Sequence, residues 1–152
     1  MIQRKQTVFL LLAVILSVCC LCTPIGTFDV GGLNTVTEYN LWLVDGQGQR
    51  QFSCWPLFAI LLPSSALGLY TIFLYHNRRI QARMCTFNIF LVIGWYIVYA
   101  VFSNVLGSPV AGTTFQIELG GGLPAISLAF YFLAYKGIMA DEKLVRAADR
   151  IR

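Results

Sequence analysis

The sequence predicts an all-α membrane protein, a bundle of four transmembrane helices with a small extracytoplasmic β-hairpin or sheet. Hydrophobic residues make up 57% of the chain and charged residues only 12%, whereas a soluble domain has about 25% charged residues. A soluble fold of 152 residues could not bury so much apolar surface. If four apolar runs each cross the membrane, ten of the eleven lysines and arginines lie on one side.

Each apolar run has about the 20 residues needed to cross the hydrocarbon layer. No Asp, Glu, Arg or His lies deep in any run, and only Lys136 interrupts the fourth near its end. We expect one membrane domain over residues 1–152, with an outer connection at 26–54 and a tail at 139–152. The predicted spans are 7–25, 55–75, 87–106 and 119–138.

Charge alternates along the intervening segments. One set of segments carries the basic residues Arg4, Lys5, Arg78, Arg79, Arg83, Lys136, Lys143, Arg146, Arg150 and Arg152, together with His76. The other set carries Asp29, Glu38, Asp45 and Glu118, with Arg50 as its only basic residue. Since short loops rich in Lys and Arg stay in the cytoplasm, we expect a multi-pass protein of the inner (cytoplasmic) membrane with both termini cytoplasmic.

The first run has an alternative interpretation as a cleaved signal peptide, because it combines a basic start with an apolar middle. A small-x-small cleavage site does not follow it cleanly, and the segment from Cys19 to Cys22 is a poor match to one. We favour a retained span, since cleavage would leave three.

The outer segments have the composition of β-strands. Residues 33–44 are rich in β-branched and aromatic side chains, residues 49–52 follow, and the turn-forming pair Asp45-Gly46 between them predicts a hairpin. Residues 113–119 alternate polar and apolar side chains and could add a third strand. Tyr39, Trp42 and Phe52 are candidate recognition residues, but packing of these aromatics onto the helix ends is the interpretation we favour.

Cysteine spacing gives the only enzyme class worth weighing. Cys19 and Cys22 form a C-x-x-C motif near the outer end of the first span, as in four-span thiol–quinone oxidoreductases, which need a reversible disulfide. The second outer connection has no cysteine to complete a relay, and Cys85 lies on the inner side. We therefore favour cysteines that only fill space, and a structural Cys22–Cys54 disulfide stays open.

Other chemistry has less support. His76 is the only histidine, so a histidine-based metal site or catalytic triad has no partners, and no cofactor motif is present. A small transporter is disfavoured because the spans lack ionisable groups at depth. Asn88, Ser103 and Asn104 are expected to join helices, and Ser64 with Gly68 offers a small-residue contact strip.

Helical periodicity continues through the tail. Leu144, Ala148 and Ile151 share one face, and Asp141 is a candidate cap for the start of a helix. The tail should either extend the fourth span or lie along the inner surface. Arg146 and Arg150 would then meet anionic headgroups or a protein partner.

The two ends carry a resemblance. Met1-Ile2-Gln3-Arg4 followed by Gln6-Thr7, and the closing segment from Asp141 to Arg150, resemble an uncharacterised four-span membrane family of Bacteroidota, known only as a domain of unknown function. The resemblance implies an integral inner-membrane protein and assigns no catalytic or binding residue.

These observations favour a non-enzymatic structural or interaction protein. Its expected partners are the lipid bilayer and either another membrane protein or a second copy of the chain, without a cofactor. Nucleic acid is excluded as a partner, because no dense basic stripe is combined with stacking aromatics. The candidate interaction residues are Tyr39, Trp42, Arg146 and Arg150.

Overall fold

Four long helices dominate the structure, a computed structural model that describes residues 2–30, 34–107 and 113–149. Each helix is long and apolar enough to cross a membrane. The predicted arrangement of four such helices with a small antiparallel sheet is therefore confirmed. The helices are α1 (Ile2–Cys22), α2 (Trp55–Phe73), α3 (Arg78–Gly107) and α4 (Leu119–Asp149).

The helices close into a ring, since α1 and α3 each pack against both α2 and α4. α1 ends two residues before Pro24, whose ring disfavours helix at the preceding position. Small residues bring α2 close to its neighbours as predicted. The Ser64 hydroxyl lies 3.1 Å from the Asn88 side-chain amide, and a Cβ at Gly68 would lie 2.7 Å from Val14 of α1.

The outward-facing surface of the bundle is apolar over most of its length. Large hydrophobic side chains on all four helices are half exposed or more. Examples from α2, α3 and α4 are Phe73, Phe90, Ile97 and Leu119.

Five short strands form one antiparallel sheet in the order β4-β3-β2-β1-β5. The predicted turn at Asp45-Gly46 is confirmed, because the Asp45 N–H donates to the Gln49 carbonyl over 3.0 Å and joins β3 to β4. The strands are β1 (Gly26–Val30), β2 (Asn34–Glu38), β3 (Leu43–Val44), β4 (Arg50–Gln51) and β5 (Thr113–Ile117).

One detail of the predicted sheet is wrong. The run at 33–44 is two strands rather than one, because a tight turn joins the Tyr39 N–H to the Trp42 carbonyl over 2.9 Å; Leu33 lies outside the described residues. The additional strand expected at residues 113–119 is found as β5, which joins the same sheet by pairing with β1.

The sheet covers one end of the helices, which we call the sheet end. There the Ile25 N–H donates to the Glu38 carbonyl over 2.8 Å, and the Glu118 N–H donates to the Ile25 carbonyl over 3.1 Å. At the opposite end, the basic end, Gln6 of α1 donates to Asp141 of α4 over 2.7 Å. Arg79 of α3 lies 2.7 Å from Glu142 of α4.

Candidate functional site

Asn40 holds the sheet end together. Its side-chain amide donates to the Cys20 carbonyl of α1 over 2.7 Å, and its side-chain oxygen accepts from the Trp95 indole of α3 over 3.0 Å. Its backbone carbonyl accepts from the Phe58 N–H of α2 over 3.2 Å. A single fully buried residue thus binds three helices to the sheet.

Glu38 lies beside Asn40 and is also fully buried. Glu38 is the last residue of β2, and Asn40 lies in the bend that follows it. The Cys54 thiol donates to Glu38 Oε1 over 3.6 Å, while Oε2 has no hydrogen-bond partner among the described residues. An unpaired buried carboxyl oxygen is rare and needs an explanation.

Burial raises the pKa of the Glu38 carboxyl from 4.5 to about 7. Burial and the nearby Glu38 charge raise the pKa of the Cys54 thiol to about 12. The thiol therefore stays protonated near neutral pH and is not a nucleophile. The pair can bind and release one proton at Glu38, because a carboxyl deprived of water resists ionisation.

The predicted cysteine pair lies apart from this carboxyl. Cys19 and Cys22 are exposed on α1, whereas Cys20 and Cys54 are buried in one hydrophobic cluster with Trp95. All five cysteines are free, so the structure contains no Cys22–Cys54 disulfide. Redox cycling of Cys19 and Cys22 stays a prediction. Among the described residues, no three His, Cys, Asp or Glu side chains lie close enough to hold a metal ion.

Tyr39 and Trp42 lie together on the sheet, with ring centroids 6.0 Å apart. Phe52 lies 6.1 Å from Trp42, and the Arg50 guanidinium covers the Trp42 ring at 5.1 Å. These aromatics pack on one another, and the core cluster at the sheet end does not include them. Their predicted role as recognition residues stays a prediction.

Two adjoining cavities open at the basic end. The larger, of about 600 Å³, is lined by residues around the start of α3 and the end of α4, namely His76, Asn77, Arg78, Arg79, Ile80, Glu142, Val145 and Arg146. The smaller, of about 240 Å³, is lined by Arg79, Ala82, Arg83, Thr86, Tyr135, Met139, Glu142 and Arg146. Both share Arg79, Glu142 and Arg146, and we call them together the α3–α4 groove.

Glu142 organises this groove. Its Oε1 accepts from Arg79 Nε over 2.7 Å and from Arg146 Nη2 over 2.9 Å. The two arginine side chains remain 70% and 62% exposed while the Glu142 side chain is 13% exposed, so the carboxylate fixes two guanidinium groups that still face outward.

The tail continues α4 without a break up to Asp149, so the first of the two predicted arrangements is found. Asp141 does not cap a helix start. Its buried carboxylate lies inside α4 and accepts from Gln6 instead, which ties the tail to α1. Arg146 lies in the groove, and Arg150 lies outside the described residues.

A model of a protein family, described as a domain of unknown function (DUF4293), matches residues 2–151. The chain belongs to this family. The predicted resemblance to a domain of unknown function is thus confirmed. A search of curated proteins finds no match to the chain.

Sequence reasoning on this DUF4293 protein did not single out Glu38, Asn40 or Cys54 as one cluster. From the sequence, Glu38 was one of four acidic residues in the segments predicted to lie outside the cytoplasm. The available signal was strand alternation, which puts Val36, Glu38 and Asn40 on one face. A face with one apolar and two polar members does not indicate burial.

Proposed function

We propose that this DUF4293 protein is an integral protein of the inner membrane, with four spans and both termini in the cytoplasm. It acts through contacts with lipid and with other membrane proteins rather than by catalysis. The sheet would then lie outside the cytoplasm and the basic end inside.

The observation that carries this proposal is the charge difference between the two ends. Lys5, Arg79, Lys143 and Arg146 belong to the end where Gln6 contacts Asp141 and Arg79 contacts Glu142. At the sheet end, Arg50 is the only basic side chain among the described residues. Clustering of Lys and Arg at one end favours a cytoplasmic location for that end.

The surface of the bundle supports a role within the bilayer. The exposed side chains along the helix middles are mostly Leu, Ile, Val and Phe, which lipid chains solvate without cost. The Cys54 thiol stays protonated near neutral pH, because burial and the nearby Glu38 carboxyl raise its pKa, so it is not an activated nucleophile.

Site-directed thiol labelling tests the orientation. Cys19 and Cys22 are exposed and would react, so both are changed to Ser; Cys20, Cys54 and Cys85 are buried. Gln47→Cys and Asn77→Cys then place single exposed thiols at the sheet end and the basic end. An impermeant maleimide should label Gln47→Cys in intact spheroplasts and Asn77→Cys only after permeabilisation. Equal labelling of both in intact spheroplasts would contradict the proposal.

The thiol–quinone alternative has its own measurement. Acid trapping of thiols in growing cells reports whether Cys19 and Cys22 exchange between dithiol and disulfide. A disulfide that forms and disappears with respiratory state would replace the non-enzymatic proposal, and permanently reduced thiols would remove the alternative.

A further inference from the structure

We infer that the α3–α4 groove binds one anionic phospholipid, with the headgroup phosphate among the arginines and an acyl chain between the helices. This inference rests on the proposed function in one respect only, since it places the groove at a membrane surface. The groove itself would bind the lipid in either orientation of the chain.

Charge selects a phosphate for the outer part of the groove. The two cavities of the groove together are lined by four arginines and one carboxylate, Glu142. The arginines are Arg78, Arg79, Arg83 and Arg146. Arg79 uses Nε and Arg146 uses Nε and Nη2 on Glu142, and their other guanidinium N–H groups have no partner among the described residues. Guanidinium groups held in place by a carboxylate are suited to phosphate oxygens, because their planar N–H pairs match the anion.

The inner part of the groove selects a lipid rather than a free anion. The smaller cavity runs between α3 and α4 along Ala82, Thr86, Tyr135 and Met139. These largely apolar side chains line the same cavity as Arg79, Arg83 and Arg146. Basic pockets between helices at the cytoplasmic surface are typical sites for anionic lipids.

Native mass spectrometry of the full-length protein in mild detergent tests the inference. The probes are dioleoylphosphatidylglycerol and dioleoylphosphatidylcholine, which share their chains and differ in net charge. We expect each chain to retain one phosphatidylglycerol molecule. Phosphatidylcholine should be retained about tenfold more weakly.

Matched double variants separate a specific site from general positive charge. Arg79→Gln with Arg146→Gln should lower phosphatidylglycerol retention about tenfold more than Lys5→Gln with Lys143→Gln. Both pairs remove two exposed charges from the basic end, but only the first pair lines the groove. Equal losses in the two pairs would overturn the inference.

Two further arms distinguish the lipid from its headgroup alone. Thr86→Phe fills the apolar part of the groove and leaves all four arginines, so it should lower phosphatidylglycerol retention several-fold. Excess inorganic phosphate should not displace the lipid. If phosphate displaces it fully, or if Thr86→Phe retains it unchanged, the site is a simple anion site and the inference fails. Retention in detergent does not depend on topology, so it can fail independently of the labelling experiment.

Discussion

The two ends of this bundle are closed by different interactions. At the sheet end, Asn40 and Glu38 are fully buried, and the Asn40 side chain joins α1 and α3 through hydrogen bonds of 2.7 and 3.0 Å. At the basic end, Arg79, Glu142 and Arg146 form an ion-pair network whose arginines stay largely exposed. Buried polar groups are costly to leave unpaired, while exposed ion pairs contribute little. We therefore expect stability to depend on the sheet end, and the basic end to tolerate change and remain available for binding.

The strongest test of this difference is a pair of glycines, one at each end. Gly120→Ala should lower the free energy of unfolding by roughly 3 kcal/mol, because the new Cβ would overlap the Pro24 carbonyl oxygen, which is backbone and cannot move aside. Gly137→Ala at the basic end should be milder, since its Cβ would meet the Gln6 side chain at 2.9 Å. Thermal unfolding in detergent measures both.

Gly122→Ala is the control for the helix itself. A Cβ at Gly122 has open space around it, so this variant should be neutral or up to about 1 kcal/mol more stable. Similar losses for Gly120→Ala and Gly122→Ala would show that close packing at the sheet end is not the cause.

Asn40→Ala should cost slightly less, roughly 2 to 3 kcal/mol, because it leaves the Trp95 indole N–H and the Cys20 carbonyl unpaired in a buried site. The matched change is Asn104→Ala, which removes an exposed amide whose one hydrogen-bond partner among the described residues is the Ala100 carbonyl of its own helix. Asn104→Ala should change the unfolding temperature little. A wild-type unfolding temperature for Asn40→Ala would refute the role given to the sheet end.

Glu38 makes the stability of the sheet end depend on pH. Its folded pKa of about 7 exceeds its ordinary value of 4.5, so the folded protein binds the proton more tightly. The contribution of Glu38 to stability is fully present below about pH 4.5 and is lost as pH rises through about 7. Between pH 5 and pH 8 the loss should be roughly 2 kcal/mol, since one pKa unit corresponds to about 1.4 kcal/mol.

Glu38→Gln should remove most of this pH dependence of the unfolding temperature, because the amide cannot ionise. Glu118→Gln, a change of another carboxyl at the same end, should retain the wild-type slope. The titratable groups near Glu38 are the Cys54 thiol, which donates to its Oε1, and Tyr99 of α3. If the unfolding temperature of Glu38→Gln depends on pH as strongly as that of the wild type, a group other than Glu38 causes the pH dependence.

How far the sequence predicts the structure also differs between the ends. The helices and the turn at Asp45-Gly46 can be predicted from local composition. The basic end can be predicted from the positions of the lysines and arginines along the chain. The sheet end depends on contacts between distant residues, such as β1 with β5 and Asn40 with Trp95. Gly120 and Gly121 illustrate the limit, because they form the first turn of α4 against the Pro24 and Ile25 carbonyls. No local pattern indicates that contact.

The smallest expected effect lies at the basic end. Glu142→Gln removes the negative charge shared by Arg79 and Arg146, yet it should change the unfolding temperature little, because both arginines are exposed and solvent screens the pairs. The difference in stability between Glu142→Gln and the wild type should become smaller as the salt concentration is raised. Unfolding scans of wild type and Glu142→Gln at two salt concentrations measure it, with Lys143→Gln as the control, since Lys143 forms no ion pair with another described residue. A loss as large as that of Asn40→Ala would mean that the ion-pair network holds the bundle together. The α3–α4 groove would then be a structural joint instead of a surface free to bind a lipid.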